Sequence, residues 1–234
     1  MGGKEKMKFE KIITISLGGS LIVPEEIDST WIKEFKSFIE KYIKKGYRFI
    51  LISGGGKTAR KYQNAAREIA GLTGDDLDWL GIHATRINAH LIRTIFRKLA
   101  HPEVIKNPHD KIKFKEKILV AAGWKPGFST DFDAVLLAEK FNVKKIINLS
   151  NIDYVYDKDP KKHSDAKIIK DISWKDFRKI VGNKWDPGLN APFDPIASKR
   201  AQELGIEVAI MNGKNINNIE DYLDNKKFIG TIIK

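Results

Sequence analysis

Apolar runs of strand length alternate with amphipathic segments of helical length along most of this chain. The first run, residues 12–17, is apolar or β-branched at every position except Ser16 and ends at Gly18. Continuous runs of this kind are typical of strands that are buried on both faces of a parallel sheet. The same reading predicts further strands at 47–53, 117–122, 144–149, 207–211 and 228–233.

Helical periodicity fills the intervals between these runs. After Asp28, Ser29 or Thr30, any of which can cap a helix, apolar residues recur on one face until Gly46 ends the segment. Further helices are predicted at 58–70, 79–99, 130–141, 173–181, 195–204 and 217–223. Ile87 is expected in the apolar stripe of the helix 79–99. Residues 101–116 are expected to form a surface connection. Strands that alternate with helices predict an α/β fold with a mainly parallel sheet.

The chain of 234 residues shows no linker or internal repeat, so one domain is predicted over residues 12–234, after a short disordered leader at 1–11. No apolar run approaches the roughly 18 residues that a membrane helix needs. The chain has no cysteine, which excludes disulfides and fits a cytoplasmic protein. Its five histidines lack a metal-ligand spacing, so no protein metal site is expected.

The net charge of +12 favours anionic partners. This charge is compatible with nucleic acid, an anionic membrane or anionic small substrates as binding partners. It is equally compatible with basic residues that are simply solvated at the surface. Because the basic residues are spread along the chain and mixed with acidic ones, we expect neither nucleic acid nor membrane as a partner. An RNA-binding role stays as an alternative that would show salt-sensitive binding.

Two glycine clusters, Gly18-Gly19-Ser20 and Gly54-Gly55-Gly56, each follow a predicted strand. Ligands of open α/β sheets collect at the carboxyl ends of strands, and glycine lets the backbone approach a ligand closely. Backbone N–H groups that open the next helix favour anions. Two such turns indicate a site for two phosphate-bearing molecules or for one long one.

Other interpretations of the second cluster remain open. Gly56-Lys57-Thr58 fits the end of a P-loop, but Leu51 stands where the first glycine of that motif belongs. The spacing of Gly54, Gly56 and Ala59 fits a dinucleotide fingerprint, although that fingerprint normally follows the first strand. A tight turn that binds nothing is the third alternative.

A third glycine segment, residues 123–131, also lies between a predicted strand and a helix. Ser129 and Thr130 can bind an anion or cap the helix, and Asp131 lies in its first turn.

Together these segments resemble the amino acid kinase superfamily, and within it the archaeal-type UMP kinases, from about residue 12 to 233. The motifs that carry the resemblance are Leu17-Gly18-Gly19-Ser20-Leu21, Gly54-Gly55-Gly56-Lys57-x-Ala59-Arg60-Lys61-Tyr62, Gly81-Ile82-x-x-Thr85-Arg86-x-Asn88-Ala89, Pro126-Gly127-x-Ser129-Thr130-Asp131, Asn151-x-Asp153-x-Val155-Tyr156-x-x-Asp159-Pro160 and Asp194-Pro195-x-Ala197-x-Lys199. Each is weak alone, but six in the family's order are specific.

The resemblance implies a three-layer αβα sandwich in which ATP, with Mg²⁺, phosphorylates UMP in pyrimidine nucleotide synthesis, and a homo-oligomer, usually a hexamer. It places the acceptor in residues 12–143 and ATP in residues 144–234. The implied ATP-binding residues are Gly19, Ser20, Gly56, Arg60, Ser150, Tyr156 and Asp159. The implied UMP-binding residues are Gly55, Asp78 (on the ribose), Trp124, Lys125, Pro126, Gly127, Phe128, Ser129 and Thr130.

Candidate catalytic residues are Lys57, Lys199 and Asp131. Ser16 stands where many superfamily members carry a phosphate-bridging lysine, and we hypothesise that Lys57 replaces that lysine, with Lys199 as the second candidate. Tyr154 replaces a usual glycine, and Asp133 replaces a small apolar residue. A kinase of the same fold with another acceptor (an amino acid, carbamate or isopentenyl phosphate) and a non-catalytic nucleotide- or oxyanion-binding protein remain alternatives.

Overall fold

The computed structural model describes residues 11–184 and 191–234. The strands are β1 Lys11–Leu17, β2 Tyr47–Ser53, β3 Ile118–Ala121, β4 Lys145–Ser150, β5 Val155–Tyr156, β6 Ile168–Ile169, β7 Asp171–Ile172, β8 Glu207–Asn212 and β9 Thr231–Ile233. The helices are α1 Gly19–Ile22, α2 Ser29–Lys44, α3 Gly56–Ile69, α4 Gly74–Ile95, α5 Thr130–Lys140, α6 Trp174–Val181, α7 Pro195–Leu204 and α8 Ile216–Leu223.

The main sheet has the strand order β3-β2-β1-β4-β8-β9-β7. The first five of these strands pair in parallel, β9 runs antiparallel to β8, and β7 is parallel to β9. A short antiparallel pair, β5 with β6, lies outside this sheet. The mainly parallel α/β sheet predicted from the sequence is therefore confirmed.

Helices cover the sheet on both faces, which gives three layers. Side chains of α2, α4 and α8 pack on one face, and side chains of α5, α6 and α7 pack on the other. Strand β2 explains why the strand runs are continuously apolar: Phe49 and Leu51 join the first core, whereas Ile50 and Ile52 join the second. Successive side chains of a strand point to opposite faces, so a central strand needs apolar residues at every position.

Local chemistry sets several helix ends. The Asp28 carboxylate accepts a hydrogen bond from the Trp31 N–H (2.9 Å) and so caps α2. Helix α4 begins at Gly74, five residues before the predicted start at 79, because Thr73 and Asp76 form a capping box.

Four sequence expectations need correction. Ile87, placed in an apolar core stripe, is 64% exposed. The predicted surface connection 101–116 contributes Ile105 to the core, and the Ile105 N–H donates to the Val120 carbonyl (2.9 Å), which extends the sheet edge. Lys11, assigned to the leader, is the first residue of β1, and the rest of the leader lies outside the described residues. Strands β5, β6 and β7, two residues each, were not predicted.

Candidate active site

The two glycine turns leave the sheet from adjacent strands at the same level. Leu17, the last residue of β1, is paired with Ser53 of β2 and with Leu149 of β4. The Gly18 N–H donates to the Leu149 carbonyl, and the Gly54 N–H donates to the Leu17 carbonyl, both at 2.8 Å. Both turns therefore begin at the carboxyl edge of the central strands, where α/β proteins bind their ligands.

The backbones of the two turns touch each other. A Cβ atom on Gly19 would lie 2.0 Å from the Gly56 nitrogen, and one on Gly56 would lie 2.3 Å from the Gly19 oxygen. Gly56 also has φ = +63°, a conformation that favours glycine. Only glycine permits this approach, so the structure brings together the predicted residues Gly19, Gly55 and Gly56, with Ser20 next along α1.

Lys57 lies at the start of α3, directly after the second turn. Its Nζ is 2.9 Å from Oε1 of the exposed Glu25, and its backbone N–H donates to the Val23 carbonyl (3.1 Å). The hydrogen bond from Lys57 lowers the pKa of Glu25. Arg60 is exposed one turn further along the same helix. Two cations therefore lie on the helix that begins at the glycine contact.

Asp131 connects three parts of the fold at the carboxyl edge. The Ser16 hydroxyl donates to its Oδ1 (3.0 Å), and the Asp194 N–H donates to its Oδ2 (3.2 Å). Burial, with a smaller contribution from the nearby Asp194 carboxylate, raises the pKa of Asp131 to about 7. Asp131 thus joins the end of β1 to the first turns of α5 and α7.

Lys199 lies in the second turn of α7, whose N-cap is Asp194. The Asp194 carboxylate accepts from the Ala197 N–H (2.6 Å), which fixes the start of this helix beside Asp131. Lys199 is exposed and, within the part of the chain that the structure describes, makes no hydrogen bond or ion pair. No described residue therefore occupies its ammonium group.

The segment 123–129, which we call the acceptor loop after the role that the sequence predicts for it, is tied to α4 through its backbone. The Gly123 N–H donates to the Thr85 hydroxyl, and the Gly127 N–H donates to the Asp78 carboxylate, both at 2.8 Å. Burial raises the pKa of Asp78, although the hydrogen bond from Gly127 opposes this rise. Asp78, predicted to contact a ribose, thus holds the acceptor loop in this structure.

Two aromatic rings and one lysine of the acceptor loop lie close to one another. The Trp124 and Phe128 ring centroids are 5.1 Å apart, and Phe128 stacks on Phe132 of α5 at the same distance. The Lys125 Nζ lies 4.2 Å from the Trp124 ring centroid. The loop thus combines flat apolar surface with a cation, which suits a ligand that carries both a ring and a phosphate.

The end of the acceptor loop passes into α5. Pro126 is half-buried within the loop. Ser129 is the N-cap of α5, since its hydroxyl accepts from the Phe132 N–H (3.2 Å), and Thr130 is the first helical residue. The predicted capping role of Ser129 is confirmed.

Comparison with known proteins identifies the architecture that carries this site. The model of the amino acid kinase family matches residues 11–212. The chain belongs to this family.

Several named proteins of this family resemble the chain over nearly its whole length. It is 33% identical to the uridylate kinase of Sulfurisphaera tokodaii over 95% of the chain and 98% of that protein. It is 32% identical to the uridylate kinase of Methanobrevibacter smithii, over 88% and 92% of the two chains. The crystal structure of uridylate kinase from Archaeoglobus fulgidus superposes with a TM-score of 0.81 at 31% identity, over 95% of this chain and 99% of that one.

The residues predicted for the ATP side of this amino acid kinase are less closely gathered than the glycine turns. Ser150 ends β4, and a Cβ atom on Gly18 would lie 3.5 Å from its Cα, so it lies beside the first glycine turn. Tyr156 belongs to the separate β5–β6 pair. The exposed Asp159 accepts from the Lys161 N–H in its own turn (2.9 Å). Tyr156 and Asp159 are thus not tied to the glycine turns by these contacts.

Sequence reasoning missed two residues of α4 whose side chains hydrogen-bond to the second glycine turn and to the acceptor loop. The buried Asn88 side chain donates to the Gly54 carbonyl (2.8 Å) and to the Gly55 carbonyl (3.2 Å). Arg86 donates to the Trp124 carbonyl (3.0 Å). Both residues belong to the motif Thr85-Arg86-x-Asn88, which was noted without an assigned role. Thr85 and Asn88, polar residues three positions apart on a largely apolar helix face, were the available signal.

Two cavities lie away from the glycine turns. One, of about 790 Å³, lies between α2 and α8, and the other, of about 540 Å³, lies at the amino ends of the central strands. Among residues 11–184 and 191–234, no group of three or more acidic or histidine side chains is arranged to hold a metal ion, and no helix is long and apolar enough to cross a lipid bilayer.

Proposed function

We propose that this amino acid kinase transfers the γ-phosphoryl group of ATP to UMP and releases ADP and UDP. The observation that carries the proposal is the backbone contact between the two glycine turns at the carboxyl edge of the sheet. It gives one place at which two phosphorylated molecules can meet. The uridylate kinases that cover nearly the whole chain at about one-third identity support UMP as the acceptor.

The reaction needs positioning and charge neutralisation more than proton transfer. A phosphate oxygen of UMP, already anionic at neutral pH, forms the new bond to the γ-phosphorus. The bond from that phosphorus to the β,γ-bridging oxygen breaks, and ADP leaves with the electron pair. Because no hydroxyl must lose a proton, no general base is required. In-line alignment and donors directed at the phosphates supply the catalysis.

On the ATP side, we assign the phosphates to Gly19, Ser20, Gly56 and Arg60 and the adenosine to Ser150, Tyr156 and Asp159. Lys57 and Lys199 neutralise the charge of the phosphoryl group during its transfer. Asp131 holds the start of α7, the helix that carries Lys199, against the end of β1. Mg²⁺ enters as part of the ATP substrate.

On the acceptor side, UMP occupies the space bounded by Gly55, Asp78 and the acceptor loop. The loop residues assigned to UMP are Trp124, Lys125, Pro126, Gly127, Phe128, Ser129 and Thr130. The N-terminal half of the chain, about 12–143, thus holds the acceptor and also contacts the ATP phosphates, whereas the ATP-binding half, about 144–234, holds the adenosine within the same domain.

We also propose a homo-oligomer, with a hexamer as the expected form. Helix α3 buries none of its side chains in the single chain, and Tyr62 and Ile69 on it are 63% and 85% exposed. A second copy packed on α3 would cover these apolar groups. Sedimentation analysis that finds only a monomer would contradict this. Cytoplasmic location stays a prediction.

A coupled ADP-release assay tests the proposed reaction. The purified chain is supplied with MgATP and, in turn, with UMP, CMP, dUMP, AMP, N-acetylglutamate, aspartate and carbamate. We expect kcat/KM for UMP to exceed that for every other acceptor by at least about tenfold, a difference of about 1.4 kcal/mol in transition-state binding. A different acceptor that leads by that margin would replace UMP, and no ADP release with any of them would favour a binding protein.

A further inference from the structure

Asp133 is a buried acidic residue that the proposed chemistry does not use. It lies in the first turn of α5, and only 1% of its surface is exposed. Its Oδ2 accepts from the Trp124 N–H (3.2 Å), whereas its Oδ1 is buried without a hydrogen-bond partner among the described residues. Burial raises the pKa of Asp133 to about 8. Burying a carboxyl group is costly unless it is hydrogen-bonded or paired with an opposite charge.

Arg86 approaches the same loop residue from α4. Its Nη2 donates to the Trp124 carbonyl (3.0 Å), and its Nε is buried without a partner within the described chain. The Arg86 charge opposes the rise in the pKa of Asp133, so the two groups are electrostatically coupled. Trp124 is thus held at its N–H by one helix and at its carbonyl by another.

We propose that Arg86 and Asp133 are positioning residues that clamp Trp124 and thereby set the acceptor loop for substrate binding. The inference rests on the proposed function, because it takes the loop 123–129 as the acceptor site. Two neighbouring ties, from Thr85 to Gly123 and from Asp78 to Gly127, fix the loop on either side of Trp124. The clamp fixes the part of the loop that carries the aromatic ring.

The clamp should affect the binding of the acceptor and not the binding of ATP. Trp124 packs on Phe128, and Lys125 lies over both rings, so a shift of the Trp124 backbone moves the ring surface and the cation together. The glycine turns are braced separately by Asn88. A broken clamp should therefore change KM for UMP more than KM for ATP.

Asp133→Ala is the direct test, since it removes the acceptor of the Trp124 N–H. We expect KM for UMP to rise at least about tenfold while KM for ATP stays within about twofold. Hydrogen exchange of the segment 122–129 should become faster at least about tenfold. Asp133→Asn retains an oxygen that can accept this bond, so KM for UMP and the exchange rate should stay within about threefold of wild type.

Asn218→Ala is the matched control for a general loss of stability. The half-buried polar contacts of Asn218 join α8 to Ile229, away from the acceptor loop. This variant loses two hydrogen bonds of similar kind, so it should leave KM for UMP and exchange of 122–129 unchanged. If Asp133→Ala does not fold, Arg86→Met, which keeps the length of the side chain and removes its donors, gives the same two readouts.

Three results would overturn the clamp: unchanged exchange at 122–129, an equal rise of both KM values, or damage by Asp133→Asn as large as that by Asp133→Ala. The exchange measurement does not depend on the acceptor. If the wild-type protein does not phosphorylate UMP but Asp133→Ala still loosens the segment 122–129, the proposed function fails and the clamp stands. If UMP is phosphorylated and exchange is unchanged, the clamp alone fails.

Discussion

At the scale of single residues, contacts within the protein hold Lys57 in place before any substrate binds. Lys57 is half-buried and paired with the exposed Glu25, and its backbone is fixed by the Val23 carbonyl. An exposed ion pair of this type contributes little to stability. A phosphate group can therefore displace Glu25 from Lys57 at small cost, which makes Lys57 suited to compensate for Ser16, the residue that stands in place of the usual lysine.

Lys57→Ala is expected to lower kcat about 100-fold, because the loss of one cation or donor directed at developing charge costs roughly 2.7–4 kcal/mol. Steady-state kinetics with saturating ATP and UMP measure this effect. Lys61→Ala is the control, since Lys61 lies one turn further along α3 and forms a similar surface pair with Glu26. That control should change kcat less than about threefold. A kcat for Lys57→Ala that also stays within threefold would remove Lys57 from the chemistry.

At the scale of elements, the site depends on how closely two turns approach each other. Gly19→Ala places a methyl group within 2.0–2.6 Å of backbone atoms of Gly54 and Gly56, which cannot move as a side chain can. We expect the free energy of unfolding, measured by urea titration, to fall by about 2 kcal/mol or more, and phosphoryl transfer to be lost.

The control for this substitution is Gly71→Ala. A Cβ atom at Gly71 would meet nothing within 4 Å, and Gly71 has no positive φ that requires glycine. The free energy of unfolding of the Gly71→Ala variant should stay within about 0.5 kcal/mol of that of the wild-type protein. Equal stabilities of the two variants would show that the turns separate without cost and that their contact is not required.

Elements with strong periodicity could be predicted from the sequence, and short or long-range features could not. Strand β2 has the predicted bounds because an apolar run lies between Gly46 and Gly54. Strands β5–β7 were missed because two residues cannot display an alternating pattern. The carbonyl contacts of Asn88 were also missed, since they depend on how α4 packs against a turn that is distant in sequence.

The same limit applies to the candidate site. Glycine after a strand indicates the turn itself, so both glycine turns were found, and their convergence follows from the parallel sheet. The partner of Lys57 and the clamp on Trp124 depend on side-chain packing between elements, which no local pattern specifies. Asp133 was visible only as a residue that departs from a family motif.

At the scale of the whole molecule, Asp133 of α5 lies buried beside Trp124 of the acceptor loop, and this burial links stability to pH. Its pKa is raised to about 8, whereas an unfolded chain releases the same proton near the ordinary Asp value of about 4. Between these pH values the native protein holds a proton that the unfolded protein has lost. The contribution of Asp133 to stability is therefore fully present below about pH 4 and is lost as the pH rises towards 8.

Asp133→Asn removes this titration and should therefore flatten the stability profile. Between pH 5 and pH 8, we expect the free energy of unfolding of the wild-type protein to fall by about 3–4 kcal/mol relative to that of the variant, since one proton is worth about 1.4 kcal/mol per pH unit over most of these three units. Urea titrations of both proteins at a series of pH values measure the difference. Titrating groups distant from Asp133 cancel in the comparison, whereas the nearby Asp131, whose charge raises the pKa of Asp133, contributes to it. Parallel profiles would mean that Asp133 is ionised in the native protein. The buried carboxylate would then need the Arg86 charge close by, and the pair would act as an ion pair throughout the neutral range.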